Sequence, residues 1–199
     1  MSGSDGSLAQ KFGQIDIYLF DQLLKDRIRS TDRVLDAGCG SGRNILYLMR
    51  MGCRVSAVDT NPDAVSGVRE LAHELKTGLP DENFRIEAVE NLSFDAEAFD
   101  VVLSSAVLHF ARDAAHFRAM VDAMWRVLRP GGMLWVRLAS SIGAPERSGG
   151  QALFTYLVTP EQLEQLTAEL GGQLLDPIKT TLVHRSRSMT TWVVRKSSP

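Results

Sequence analysis

Val34-Leu35-Asp36-Ala37-Gly38-Cys39-Gly40-Ser41-Gly42-Arg43-Asn44 is the stretch whose reading decides the fold of this chain. Val34 and Leu35 read as the end of a short buried strand, closed by Asp36. Glycines at 38, 40 and 42 then permit a tight turn whose backbone can approach a ligand with no Cβ in the way. From Asn44 onward, Ile45-Leu46-Tyr47-Leu48-Met49 has the apolar density of a helix lying on a sheet. A strand, a glycine turn and a helix N-terminus in that order make a cofactor site of the nucleotide type. The spacing Gly38-x-Gly40-x-Gly42 is not the G-x-G-x-x-G that cradles a pyrophosphate, and Asp36 would repel one. An acid beside the turn suits a cofactor that carries positive charge.

The stretch resembles motif I of the class I S-adenosylmethionine-dependent methyltransferases, whose cofactor brings an ammonium and a sulfonium. The resemblance extends over roughly 34–138 and implies an α/β fold. That fold is a Rossmann-like, seven-stranded, mostly parallel sheet with an antiparallel C-terminal hairpin and helices on both faces. It also implies the cofactor S-adenosylmethionine, with S-adenosylhomocysteine as product. In the family's pattern Asp36, Gly38, Gly40 and Asn44, with Cys39 and Arg43 in the same turn, hold the methionine end of the cofactor.

Composition sets outer bounds. The 199 residues, 44% hydrophobic and 23% charged, suit one soluble domain with a sizeable core. Residues 1–11 read as a disordered tail and 12–199 as a single methyltransferase domain. A formal charge of −2 offers no bulk attraction to nucleic acid or anionic lipid, though it leaves room for a local basic patch. Cys39 and Cys53, the only two cysteines, fit neither a disulfide framework nor a zinc site, which points to a reducing cytoplasm. No signal peptide or long apolar run is visible, so no membrane partner is expected.

The remaining elements follow in order. Ile15, Leu19, Leu23 and Leu24 give a helix over 12–29, which in the family covers the cofactor; Phe12, Tyr18 and Phe20 either face a ligand or pack in that cap. The strand over 53–59 ends in Asp59, about twenty residues past the first glycines, where an acid accepts from both ribose hydroxyls. Thr60 and Asn61 would then lie along the adenosine, and Pro62 opens an amphipathic helix to Lys76. A third strand is expected over 84–89 and a fourth over 99–104. The family's adenine-binding Asp would fall on Ala88, so this chain departs from the pattern: Glu90 or Asn91 meets the adenine, or backbone groups alone do. After the fourth strand Ser104, Ser105 and His109 border the methyl-transfer site. His109 either packs as a buried histidine or serves as a catalytic group that orients the acceptor and takes its proton.

A helix over 113–128 is expected to stop at Arg129-Pro130-Gly131-Gly132 with a glycine cap, before a fifth strand over 133–138. Residues 139–151 read as a mobile loop at the ligand edge, with Phe154, Thr155 and Tyr156 as possible lining. Thr159-Pro160-Glu161-Gln162 starts the last helix, and strands over 178–184 and 189–195 form a hairpin through a turn at 185–188.

Methyl transfer from a sulfonium is an in-line displacement, so positioning is the main requirement and no nucleophile–base pair is needed. Ser104-Ser105-Ala106-Val107 is unlike the Asx-Pro-Pro-aromatic segment of enzymes that methylate base amines, and no cysteine follows Cys53 to act on cytosine C5 or to hold arsenite. No His/Asp set suggests a catalytic metal. Gly42-Arg43-Asn44 and the segment after the fourth strand look like the tellurite-resistance and small-molecule branch of the family, so the expected partner is a small methyl acceptor and not nucleic acid. Two alternatives stand beside this reading: a protein of the same fold that binds the cofactor without turnover, and an NAD(P)-dependent oxidoreductase, against which the glycine spacing speaks.

Overall fold

The computed structural model describes residues 7–142, 156–183 and 187–198. The chain runs α1 (Leu8–Phe12), α2 (Ile17–Leu24), β1 (Arg33–Ala37), α3 (Leu46–Met51), β2 (Arg54–Asp59), α4 (Pro62–Glu74), β3 (Phe84–Ile86) and β4 (Phe99–Ser105). It continues α5 (Ala114–Val127), β5 (Leu128–Ser140), α6 (Pro160–Glu169), β6 (Gly172–Leu174), β7 (Lys179–Val183) and β8 (Arg187–Lys196). The eight strands form one sheet in the order β3-β2-β1-β4-β5-β8-β6, with β7 also on β8. Pairing is parallel from β3 through β5 and antiparallel around β8. The expected α/β sheet is therefore present, with one strand more than the expected seven. β6 pairs with 194–196 of β8 and β7 with 187–191, so the two divide what would be a single outer strand. Asp176-Pro177 lies between them, and a proline cannot donate to the ladder.

Strand alternation builds two cores, one on each face of the sheet. Leu134 and Val136 of β5 pack with Phe117, Met120 and Met124 of α5 and Leu163 of α6. Trp135 and Met133 point the other way, towards Leu19 of α2, Leu48 of α3 and Val65 and Val68 of α4. The helices start where their capping residues say. Asn61, Asp113 and Thr159 accept from the backbone N–H groups of Asp63, His116 and Gln162, and proline occupies the first turn of α4 and α6.

Four local expectations change. Instead of one helix over 12–29 there are two: Gly13 takes φ +64° after α1, and Asp16 caps a fresh start by accepting from the Tyr18 N–H at 2.9 Å. Residues 8–11, read as tail, belong to α1, whose Ser7 and Gln10 form a capping box. Arg129-Pro130-Gly131-Gly132 is not a turn ahead of a strand but the first part of β5. α5 ends on extended Leu128, and the register with β4 jumps from Phe99–Leu128 to Val101–Met133, so three extra residues of β5 bulge out there, with Gly131 at φ +74°. The third strand stops at Ile86, and Val89–Asn91 forms a 3-10 turn. The expected loop over 139–151 falls outside the described residues from 143 on, as do Phe154, Thr155 and 184–186 of the hairpin turn; Ala139 and Ser140 complete β5.

One polar pair is sealed within the core. Trp192 donates from Nε1 to Thr167 Oγ1 at 2.9 Å, and that hydroxyl donates onward to the Leu163 carbonyl at 2.7 Å. Thr167→Val conserves volume and strands the indole N–H, and such a loss costs about 1–3 kcal/mol. Urea unfolding should show that loss in Thr167→Val; an unchanged midpoint would mean the indole finds another acceptor.

Candidate functional site

The carboxyl ends of β1, β2 and β4 meet at the glycine turn, and one carboxylate ties them together. Asp59 accepts the Gly40 N–H on Oδ2 at 2.9 Å and the Asn61 N–H on Oδ1 at 2.9 Å. The Val58 carbonyl accepts from Gly38 at 2.8 Å and from Cys39 at 3.0 Å. The turn is thus bolted to the end of β2 by three backbone donors, and Asn61 ties the start of α4 to the same carboxylate. Gly38 lies at φ +85° with the Val107 side chain where a Cβ would sit, whereas beside Gly40, at φ +50°, nothing lies within 4 Å of that position. Gly38 is needed by its neighbour, Gly40 by whatever occupies the open space.

A cavity of about 570 Å³ opens there. It is lined by Gly38, Gly40, Asp59 and Thr60 on one side, by Glu87, Ala88, Val89 and Glu90 along the next, and by Ser105, Ala106, Val107 and Phe110 after β4. Arg112, His116 and Met120 close the end under α5. Of the expected residues, Gly38, Gly40, Asp59, Thr60, Glu90 and Ser105 line this space. Asp36, Cys39, Arg43, Asn44, Asn61, Asn91, Ser104 and His109 do not.

Each of the others has a definite place. Asn61 caps α4. Asn44 is buried, and its Oδ1 accepts the Asp16 N–H at 3.0 Å, so it holds α2 down over the turn. Arg43 reaches Ser105 Oγ at 3.3 Å and lies 3.7 Å from Asp16, which also pairs with Arg137 at 3.2 Å. The Arg137 guanidinium stacks over the Tyr18 ring at 4.5 Å, and Tyr18 bonds Thr181 at 2.6 Å. Phe12 and Phe20 pack on each other at 4.8 Å rather than lining the cavity. His109 is buried in the 3-10 turn Leu108–Phe110, where its Nδ1 accepts the Ala139 N–H at 3.0 Å and its carbonyl accepts from Tyr156. In this geometry the ring pins the post-β4 turn to β5. Cys39 is buried, and burial, helped by Asp36 and Asp59, pushes its thiol far above the ordinary range, which leaves it unreactive.

Asp36 is 1% exposed, and its Oδ1 has no partner among the described residues. Burial pushes its carboxyl up to about 7, with Asp59 adding to the rise and Arg43 opposing it. Ser104, on the adjacent strand β4, carries a second unpartnered buried oxygen. A buried acceptor at that edge of the sheet calls for a donor or a cation.

The residue that sequence reasoning missed is His116. Its Nδ1 accepts the Arg112 N–H at 3.1 Å, so the ring proton belongs on Nε2, which lies 3.0 Å from Glu90 Oε1. That contact is close enough for charge but is not an aligned hydrogen bond. Burial pushes the Glu90 carboxyl up, but its own backbone N–H, His116 and Arg112 outweigh this and hold it below the usual range. Glu90 therefore presents an ionised acceptor to the cavity. The signal in the sequence was slight: a histidine three residues after a capping aspartate.

Residues 35–136 match the family model described as a methyltransferase domain. The chain is 39% identical over 103 residues to a ubiquinone biosynthesis O-methyltransferase of Methylocella silvestris; the match takes in 52% of this chain and 38% of that protein. It thus spans about two fifths of the length of that curated relative. Among solved structures, TehB from Haemophilus influenzae matches with a TM-score of 0.73 at 20% identity, over 95% of this chain and 65% of that one. The 1,6-didemethyltoxoflavin-N1-methyltransferase of Burkholderia thailandensis, solved with its substrate and S-adenosylhomocysteine, matches with a TM-score of 0.70 at 22% identity, over 96% and 82% of the two chains. At these identities the structural matches speak for the fold.

The raised carboxyl of Asp36 has a signed consequence. The folded state holds this proton up to about pH 7, whereas the unfolded chain releases it near 3.8. Between those values the native state binds more protons, so the site costs stability as pH rises, by up to about 1.4 kcal/mol per pH unit. Asp36→Asn lacks this term. Denaturation across pH 4–7 should show the wild type losing ground to the variant, and parallel curves would sink the assignment.

Proposed function

The chain belongs to the methyltransferase domain family of class I S-adenosylmethionine-dependent enzymes, and from that membership we propose that it transfers a methyl group from S-adenosylmethionine to a small-molecule acceptor. The observation that carries the reading is the cavity at the carboxyl edge of the sheet, where the open space beside Gly40 meets the Asp59 carboxylate; Asp36, with its unpartnered oxygen, stands just before that turn and outside the cavity lining. These residues fit the group. Asp36 offers a buried acceptor to an ammonium, Gly40 leaves its backbone approachable, and Asp59 offers an ionisable oxygen pair to ribose hydroxyls. Arg43, next to Ser105, stands where a carboxylate would find its charge.

Ala88 leaves no side-chain acceptor for the adenine amino group at the family's position. Glu90 supplies one from two residues on, with His116 behind it. The cofactor brings the activated methyl, and the protein's part is to bind, orient and exclude water. A small acceptor is favoured by the O-methyltransferase kinship and by the cavity size. A half-open space of about 570 Å³ is of the size that suits a cofactor with a small acceptor. A site in a reducing cytoplasm accords with the two buried free thiols.

Calorimetric titration with S-adenosylhomocysteine tests the reading. The wild type should bind, and Asp59→Ala should bind at least about tenfold more weakly while melting cooperatively. The 6-oxo analogue S-inosylhomocysteine, which lacks the amino donor, should bind more weakly than S-adenosylhomocysteine to the wild type and about equally to Glu90→Ala. No binding by folded wild type would end the cofactor assignment. Undiminished discrimination in Glu90→Ala would end the adenine assignment alone.

A further inference from the structure

The opposite edge of the sheet carries a second cavity, of about 360 Å³, formed by the amino ends of β4 and β5, the end of β8 and the loop after α2. Its charged lining is Lys25, Arg27, Arg29, Arg129 and Arg195 against Asp26, Asp32 and Asp100. Because β4 alone is seven residues long, this cavity lies about 20 Å from the glycine turn, too far for its contents to reach the transfer site.

The acids are largely committed. Asp100 accepts the Arg33 N–H at 2.7 Å and pairs with the Arg33 and Arg129 guanidiniums. Asp32 accepts the Arg29 N–H at 2.8 Å. Lys25 and Arg27 are taken by Asp176, at 2.9 and 2.6 Å. Among the described residues, the side chains of Arg29 and Arg195 have no hydrogen bond or ion pair, and both are exposed. Five cationic side chains thus line the cavity against three carboxylates, of which Asp26 makes no ion pair among the described residues. Burial pushes Asp176 up, yet Lys25, Arg27 and Gln22 together carry it down to about 2. Asp100 is likewise lowered.

We propose that this cavity is an anion site for a phosphate-bearing small molecule, gripped by Arg29 and Arg195 with Arg129 alongside. The three guanidiniums come from three separate elements and converge on one concavity, and each is a planar fork suited to an oxyanion. A lone carboxylate is satisfied by one such fork, whereas a tetrahedral oxyanion with more than one charge can engage several. The cavity is concave and of small-ligand size, which sets it apart from the extended basic stripe that tracks a nucleic-acid backbone. The site is independent of the proposed methyl transfer.

The test uses the full chain, titrated calorimetrically with sodium pyrophosphate, with inorganic phosphate and with acetate at constant ionic strength. Pyrophosphate should bind saturably at one site and more tightly than acetate, and phosphate should compete with it if a single phosphate group suffices. The double variant Arg29→Ala/Arg195→Ala should bind at least about tenfold more weakly, with melting temperature and S-adenosylhomocysteine affinity unchanged. Arg54→Ala, on the same edge but outside the cavity, should bind as the wild type does. Absence of saturation by about 10 mM pyrophosphate would overturn the proposal. So would equal binding by the double variant, or a loss in Arg54→Ala as large as in the double variant, which would reveal diffuse attraction to the edge.

Discussion

The carboxylate of Asp59 is the contact on which the cofactor edge depends. It closes β2 and accepts N–H groups from the glycine turn of β1 and from the start of α4. Two parallel strands and two chain reversals are thereby fixed by one side chain. A parallel sheet ends in backbone groups that no neighbour satisfies, and a ligand site at its carboxyl edge arises where those ends are held apart rather than packed shut. Gly40 shows the result: it is held by Asp59 and open on its other side. Gly38 shows the limit, because Val107 fills the space a side chain would need there. Burial, with the same carboxylate adding to it, raises the proton affinity of Asp36 just before the turn.

A second layer sits over this edge. Asp16 caps α2, donates its backbone N–H to Asn44 Oδ1, and draws in Arg137 and Arg43. A buried carboxylate paired with a largely buried guanidinium is costly to disrupt, since removing Arg137 leaves the Asp16 charge with only the more distant, more exposed Arg43. The N-terminal helices are therefore fastened to the glycine turn by the residues that follow it, and Arg43 belongs to both the fastening and the edge of the site.

What the sequence disclosed was local, and what it hid was long-range. The alternation in 133–138 and the caps at Asn61, Asp113 and Thr159 are properties of a few neighbouring residues, and they assigned β5, α4, α5 and α6. Asp59 was legible because strand length fixes its distance from the turn. Asn44 is different: its side chain is claimed by Asp16, 28 residues away, and nothing in its own neighbourhood says so. His109 could be read two ways until Ala139, 30 residues on, donated to it. Glu90 and His116 each look like surface residues and acquire meaning only as a pair. The Leu128–Gly132 segment went the other way, because helix-stopping chemistry was plain but the capacity of a bulge to keep such residues in a strand was not.

Net charge hides how the charges are arranged. At the carboxyl edge stand Asp36, Asp59, Glu87 and Glu90; at the amino edge Arg33 opens β1, Arg54 opens β2, Arg129 lies near the start of β5 and Arg195 near the end of antiparallel β8. The topology makes this possible: parallel strands put all their starts on one side, and a strand that returns antiparallel puts its end there too. Charges of both signs stand at each edge all the same: Asp26, Asp32 and Asp100 among the arginines of one, Arg43 and Arg112 among the acids of the other.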